Sequence, residues 1–209
     1  MNYIPRSKNR FCEYLLVVDI PEGEFLSFVT KLKKYIKGKY LIEQGTASYT
    51  HLTLIHFCMY EDWEGRLFRL LRKSVKFITS FHLKPGSFLN FSNETLVIDM
   101  KTENPIKEIL DQIRKHNEDE RTKLIKGWYK LAAQYSYHPH VTVAKDMDLF
   151  NLLLALEDLK LRYPILQGFD VTQLKLLKRP WGEETYEVAG LIVLSDSEDV
   201  GGDSQLTLF

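Results

Sequence analysis

Thr50-His51-Leu52-Thr53-Leu54 and Pro139-His140-Val141-Thr142-Val143 repeat one pattern about ninety residues apart, and their reading decides the fold. In each, a His and a Thr two positions apart alternate with apolar residues, as in a half-buried β-strand. The side-chain period of a strand is two, so His51 and Thr53 share one face while Leu52 and Leu54 take the other. The same parity groups His140 with Thr142. A chain that builds this unit twice brings two imidazoles and two hydroxyls to a common cleft, provided that its halves pack as a pseudo-symmetric pair.

Working outward, Phe11 to Ile20 reads as a buried strand that ends at Pro21 and Gly23. Phe25, Phe28, Val29, Leu32, Tyr35 and Ile36 predict a helix closed by Gly38, with Lys31, Lys33, Lys34, Lys37 and Lys39 on its solvated face. After the first motif strand, Tyr49 to Met59, the pair Glu61-Asp62 opens a second helix that runs to Ile78. Phe81 to Phe91 reads as a strand interrupted at Pro85-Gly86, joined through a Ser92-Asn93 turn to a strand from Thr95 to Met100, completing one lobe. Pro105 starts a third helix through Ile113, followed by the charged segment Lys115 to Lys123 and a helical turn or two around Trp128, Leu131 and Ala132. Next come the second motif strand, Tyr137 to Lys145, and an amphipathic helix from Leu149 to Leu159. Strands Phe169 to Lys178 and Tyr186 to Leu194 close the series. Helix, strand, strand thus follows each motif, a repeat in the order of elements.

The 209 residues, 44% of them hydrophobic, suit one bilobal domain over 1–194. Lys plus Arg balances Asp plus Glu at 28 each, so global charge gives no reason for indiscriminate adhesion to nucleic acid or membrane. The apolar run from Tyr14 to Ile20 is too short for a signal sequence or a membrane span, and a cytoplasmic, monomeric protein is expected. Cys12 and Cys58 sit in apolar settings, which fits reduced thiols better than a disulfide framework.

Two histidines across a phosphate perform in-line displacement without metal or cofactor: one, neutral, takes a proton from the attacking hydroxyl, and the other, protonated, gives one to the leaving oxygen. Their ordinary pKa near 6.5 populates both states close to neutrality. Threonine hydroxyls beside them donate to the non-bridging oxygens. With these residues in view, the paired His-x-Thr-x motifs, each on a strand that a helix follows, resemble the two-histidine (2H) phosphoesterase superfamily. The likeness is to its LigT-like RNA 2′,3′-cyclic phosphodiesterase and 2′-5′ RNA ligase branch, over residues 11 to about 194. The resemblance implies an α+β fold, bilobal, with pseudo-two-fold duplicated antiparallel sheets flanked by helices around a central cleft. It implies action on 2′,3′-cyclic phosphates or 2′-5′ linkages in RNA or nucleotides. His51 and His140 carry over as catalytic residues, and Thr53 and Thr142 as phosphate donors. Lys145 stands where many members have an Arg, so a cation is retained without its bidentate fork.

Other readings stay open. A strand histidine is commonly a satisfied structural residue, and only the pair argues for catalysis. His138 and His140, with His51, make a set that zinc could use, though no acidic residue or Cys lies close to either motif. In the absence of zinc, His138 is a candidate to line the cleft mouth, whereas His56 has the parity of Leu52 and reads as a core-side residue. Tyr49, Tyr137 and Trp181 are candidates to line the cleft and stack on a base, or else core aromatics. A cleft that binds a nucleotide or RNA end without turnover is the alternative to an enzyme. Residues 195–209 read as an acidic Gly/Ser-rich tether. It ends in Gln205-Leu206-Thr207-Leu208-Phe209, similar to the peptide by which bacterial proteins dock onto the polymerase sliding clamp. Leu206, Leu208 and Phe209 would be the anchors and Gln205 the directional hydrogen bond, unless the segment folds back as an edge strand or the five residues match by chance.

Overall fold

The computed structural model describes residues 10–101, 104–119, 138–164 and 168–195. Strand β1 (Phe11–Asp19) leads to helix α1 (Glu24–Tyr40), and β2 (His51–Tyr60) runs through a 3-10 turn at Glu61–Trp63 into α2 (Glu64–Val75). A short β3 (Phe81–Leu83), the hairpin β4 (Pro85–Phe91) and β5 (Thr95–Met100), and α3 (Asn104–Asp119) follow. The second motif opens β6 (His140–Ala144), with α4 (Leu149–Arg162), β7 (Phe169–Val171), β8 (Gln173–Pro180) and β9 (Glu187–Val193) after it.

Seven strands form one sheet in the order β4-β5-β6-β2-β1-β8-β9, while β3 and β7 pair apart from it. Read outward from the β6/β2 seam, β5 answers β1 and β4 answers β8, so the order is a palindrome with β9 added at one edge. The repeat is therefore β-α-β-α-β-β and begins at β1 and β5, one strand and one helix before each motif. This corrects the expectation that residues 11–100 close a lobe by themselves. The last strand of each unit crosses to pair with the first strand of the other, β4 with β5 and β8 with β1. At the seam the halves share the register Leu52↔Val141.

The helices bury apolar stripes against this sheet and each other. Helix α2 packs on α3, where the Ser74 hydroxyl and the His116 ring bond at 2.9 Å, and the two bury the stripes Leu67, Leu70, Leu71 and Ile106, Ile109, Ile113. Helix α4 is capped by Asp148, whose carboxylate accepts from the Asn151 amide at 3.0 Å. Two expectations for α1 fail. It runs past Gly38 to Tyr40 and ends on Leu41 at φ 56, because Lys39 and Tyr40 anchor its last turn on Asp158 of α4. Lys33 leaves the solvated face and is buried at 4% exposure, because it falls in the stripe Val29, Leu32, Lys33, Ile36 that packs inward. At the other end of the chain, Ser195 pairs with Thr79 in a parallel bridge.

Candidate active site

Both motifs lie at strand starts beside the seam. Counting one residue each way from Leu52↔Val141 sets His51 opposite Thr142 and Thr53 opposite His140. The histidines are then diagonal neighbours, about 7–8 Å apart at their Cα atoms, which leaves room for a phosphate between the rings. All four side chains are half-buried, and Leu52 and Val141 fill the opposite face with no exposure. Each motif ends in a β-bulge: Leu16↔Ile55 and Val17↔Thr53 skip Leu54, and Leu96↔Ala144 and Val97↔Thr142 skip Val143. A bulge bends and twists its strand, so the sheet turns at the same point in both halves.

The bulge also overturns one parity argument. Beyond Leu54 the faces exchange, so His56 is not a core residue. It is exposed and bonded to Glu13, which is clamped in turn by Arg179.

The two imidazoles are held alike. His51 Nδ1 donates to the Tyr49 carbonyl at 3.0 Å and His140 Nδ1 donates to the His138 carbonyl at 2.8 Å. This fixes the proton on Nδ1 and leaves each Nε2 to exchange protons. An aromatic ring stacks on each: Tyr49 on His51 at 5.8 Å between centroids, and Phe91 on His140 at 4.6 Å. Burial pushes both pKa values below the ordinary 6.5, against the backbone hydrogen bonds that raise them. Lys33 and Lys145 press His51 lower still, while at His140 the carboxylate of Asp99, its cross-strand partner, opposes Lys145.

Of the residues singled out in the sequence, the structure brings together His51, His140, Thr53, Thr142 and Tyr49, with Lys145 exposed at the end of β6 and His138 just before it. Tyr137 and the terminal residues Gln205, Leu206, Leu208 and Phe209 lie outside the described residues, as does the helical turn around Trp128. Trp181 is not at the histidines. Its ring packs on Phe11 and its amide donates to the Phe11 carbonyl, whereas His51 sits opposite Asp19, about 25 Å away along β1. A turn residue's place along the sheet follows from strand pairing, which local pattern does not reveal.

Sequence reasoning missed Phe91, Asp99, Lys33 and the cluster beside Tyr49. In that cluster the Tyr49 hydroxyl donates to Asp19 and accepts from Lys175, and Lys175 pairs with Asp19 at 2.8 Å. Asp19 and Asp99 are equivalent under the pseudo-two-fold, each opposite a motif histidine. The position of Lys33 within the apolar stripe was the one signal legible beforehand. Among the described residues no three His, Cys, Asp or Glu side chains cluster as a metal site would need, and no helix is long and apolar enough to cross a membrane.

Known structures share this architecture. TT0787 of Thermus thermophilus superposes with a TM-score of 0.62 at 14% identity, over 89% of this chain and 100% of that one. E. coli LigT complexed with 3′-AMP follows at a TM-score of 0.59 and 14% identity, covering 90% and 99%. E. coli LigT complexed with phosphate gives a TM-score of 0.55 at 15% identity, covering 90% and 99%. No curated protein matches as a sequence relative. The family model described as the 2′-5′ RNA ligase superfamily matches residues 21–183. With most of its length under that model, and its fold shared with LigT, the chain belongs to the 2′-5′ RNA ligase superfamily of two-histidine phosphoesterases.

Proposed function

We propose that the protein is a metal-independent phosphodiesterase that opens 2′,3′-cyclic phosphates, or makes and breaks 2′-5′ linkages, at RNA ends or in nucleotides. The observation that carries this reading is the matched pair of histidines, each with Nδ1–H on a carbonyl and Nε2 left for proton exchange on one face of the seam. In hydrolysis, the Nε2 of one neutral histidine accepts a proton from water as its oxygen bonds to phosphorus. The bond from phosphorus to a ribose oxygen breaks, and the other histidine, protonated at Nε2, supplies the proton that this oxygen takes. Thr53 and Thr142 donate to the non-bridging oxygens and Lys145 offsets their charge.

We infer that His51 is the base and His140 the acid: Lys145 acts against the charged form of both rings, but Lys33 adds to it at His51 whereas the carboxylate of Asp99 works against it at His140. The test is a product assay on nucleoside 2′,3′-cyclic phosphates with and without EDTA. A single monophosphate regioisomer, formed at the same rate in chelator, is expected. Phosphate binding without turnover of any cyclic or 2′-5′ substrate would leave a binding module, and loss of turnover in EDTA would point to a metal-bound hydroxide.

A further inference from the structure

We propose that Lys33, together with Lys145, forms a binding site for a doubly charged phosphate group beside His51. The proposal rests on the reading of the cleft as a phosphate site, and it assigns a ligand-binding role to a helix residue outside both motifs.

Helix α1 carries Lys31, Lys34, Lys37 and Lys39 toward solvent, as lysines ordinarily are, but Lys33 is buried between Leu32 and the turn of Ile36. An apolar residue there would complete the stripe and avoid the penalty of burying an ammonium. Among the described residues its hydrogen bond is to the Ser48 carbonyl at 2.8 Å, a neutral acceptor, and no carboxylate lies within ion-pair distance. An ammonium has three donors. The charged groups it faces are Lys145 at the end of β6 and His51 of β2, both cationic or neutral. Burial first, and then Lys145, pulls its pKa down to about 8, which leaves it charged at neutrality but poorly compensated.

The convergence of the two lysines is built into the backbone. The loop between α1 and β2 lies against the end of β6, where the Lys145 amide donates to the Gln44 carbonyl at 2.9 Å. Gly45 makes this approach possible: its φ is +78, and a Cβ there would meet the Lys145 nitrogen at 3.0 Å and the Ala144 Cα at 3.1 Å. The same loop presents the Ser48 carbonyl to Lys33 and the Tyr49 carbonyl to His51, so ammonium and imidazole hang from adjacent peptide units. Two ammonium groups beside His51, an imidazole that burial keeps largely neutral, supply two positive charges on that side of the seam, with the single carboxylate of Asp99 opposite His140. A cyclic phosphodiester carries one negative charge, whereas a phosphomonoester at neutral pH carries close to two. The pair of lysines therefore matches the ring-opened product and the doubly charged five-coordinate state better than the cyclic ground state.

The test titrates the full-length protein at pH 7 with inorganic phosphate and, separately, with dimethyl phosphate, a singly charged diester. Thermal unfolding of the unliganded protein is measured alongside. For Lys33→Met, phosphate affinity is expected to fall roughly tenfold or more, with dimethyl phosphate affinity changed less than about threefold. The unliganded melting temperature should be unchanged or higher, since removing a poorly compensated buried charge does not destabilise. Lys33→Arg should recover most of the phosphate affinity. Unchanged phosphate affinity, an equal loss for both anions, or a lower melting temperature of unliganded Lys33→Met would each overturn the proposal, the last by making Lys33 a structural tether of the loop. If the wild type turns over no cyclic phosphate, the enzymatic reading falls and the two titrations still decide this one.

Discussion

Asp99→Asn removes one charge and almost no volume from the His140 side of the seam, and its effect on the pH–rate profile tests how the two histidines divide their work. Asp99 and His140 are cross-strand partners, so their charged atoms lie about 6 Å apart. At an effective dielectric of about 20 to 40, that separation corresponds to about 1.4–2.8 kcal/mol. Asp99 is half-exposed, so solvent screening favours the lower end.

With His51 as base and His140 as acid, kcat/KM follows a bell whose acid limb reports the loss of neutral His51 and whose alkaline limb reports the loss of protonated His140. Because the rings sense each other, these limbs belong to the pair. Burial lowers both values, so the wild-type optimum should lie on the acid side of 6.5. The measurement is kcat/KM on a 2′,3′-cyclic nucleotide between about pH 4.5 and 8.5. In Asp99→Asn the alkaline limb should move down while the acid limb stays in place. Movement of the acid limb alone would assign His140 as the base, and an unchanged profile would show that Asp99 does not support the charge on His140.

His51→Ala and His140→Ala should each lower turnover by roughly 10²- to 10⁴-fold without loss of fold, and Thr53→Ala and Thr142→Ala should do less, measured as initial rates beside circular dichroism. Trp181→Ala should leave kcat/KM on a cyclic mononucleotide within about twofold, since about 25 Å of strand separates it from the histidines; a tenfold loss would contradict that placement. Leu52→Ala opens a cavity at the fully buried seam residue, and a loss of about 2–5 kcal/mol is expected, seen as a lower denaturation midpoint in urea.

How much of this was legible beforehand differs from element to element. Local pattern was enough wherever a side chain's fate depends on its own strand or helix. The alternation in His51-Leu52-Thr53 and His140-Val141-Thr142 placed each His with its Thr, and most strands and helices lie within a few residues of their expected bounds, because apolar periodicity records which face meets the core. The duplication was visible in the paired motifs, whereas the order of elements set β5 against β9, although in the sheet β5 answers β1. Four outcomes belong to tertiary structure. The exchange of β4 and β8 between the halves depends on which strand edges remain open once the motif strands meet. The fate of His56 depends on the bulge at Leu54, an extra residue that appears only against the register of β1. Trp181 went to the far end of β1 by hairpin pairing, and Phe91 arrived at His140 from a strand about fifty residues earlier in the chain. Lys33 shows the division within one side chain. Its position in the stripe Val29, Leu32, Lys33, Ile36 was legible in the sequence, but a lysine is read as solvated until its burial beside the Gly45 loop and the end of β6 is seen. Periodicity reports how a residue faces its own element, and only the packing of distant elements determines what that face meets.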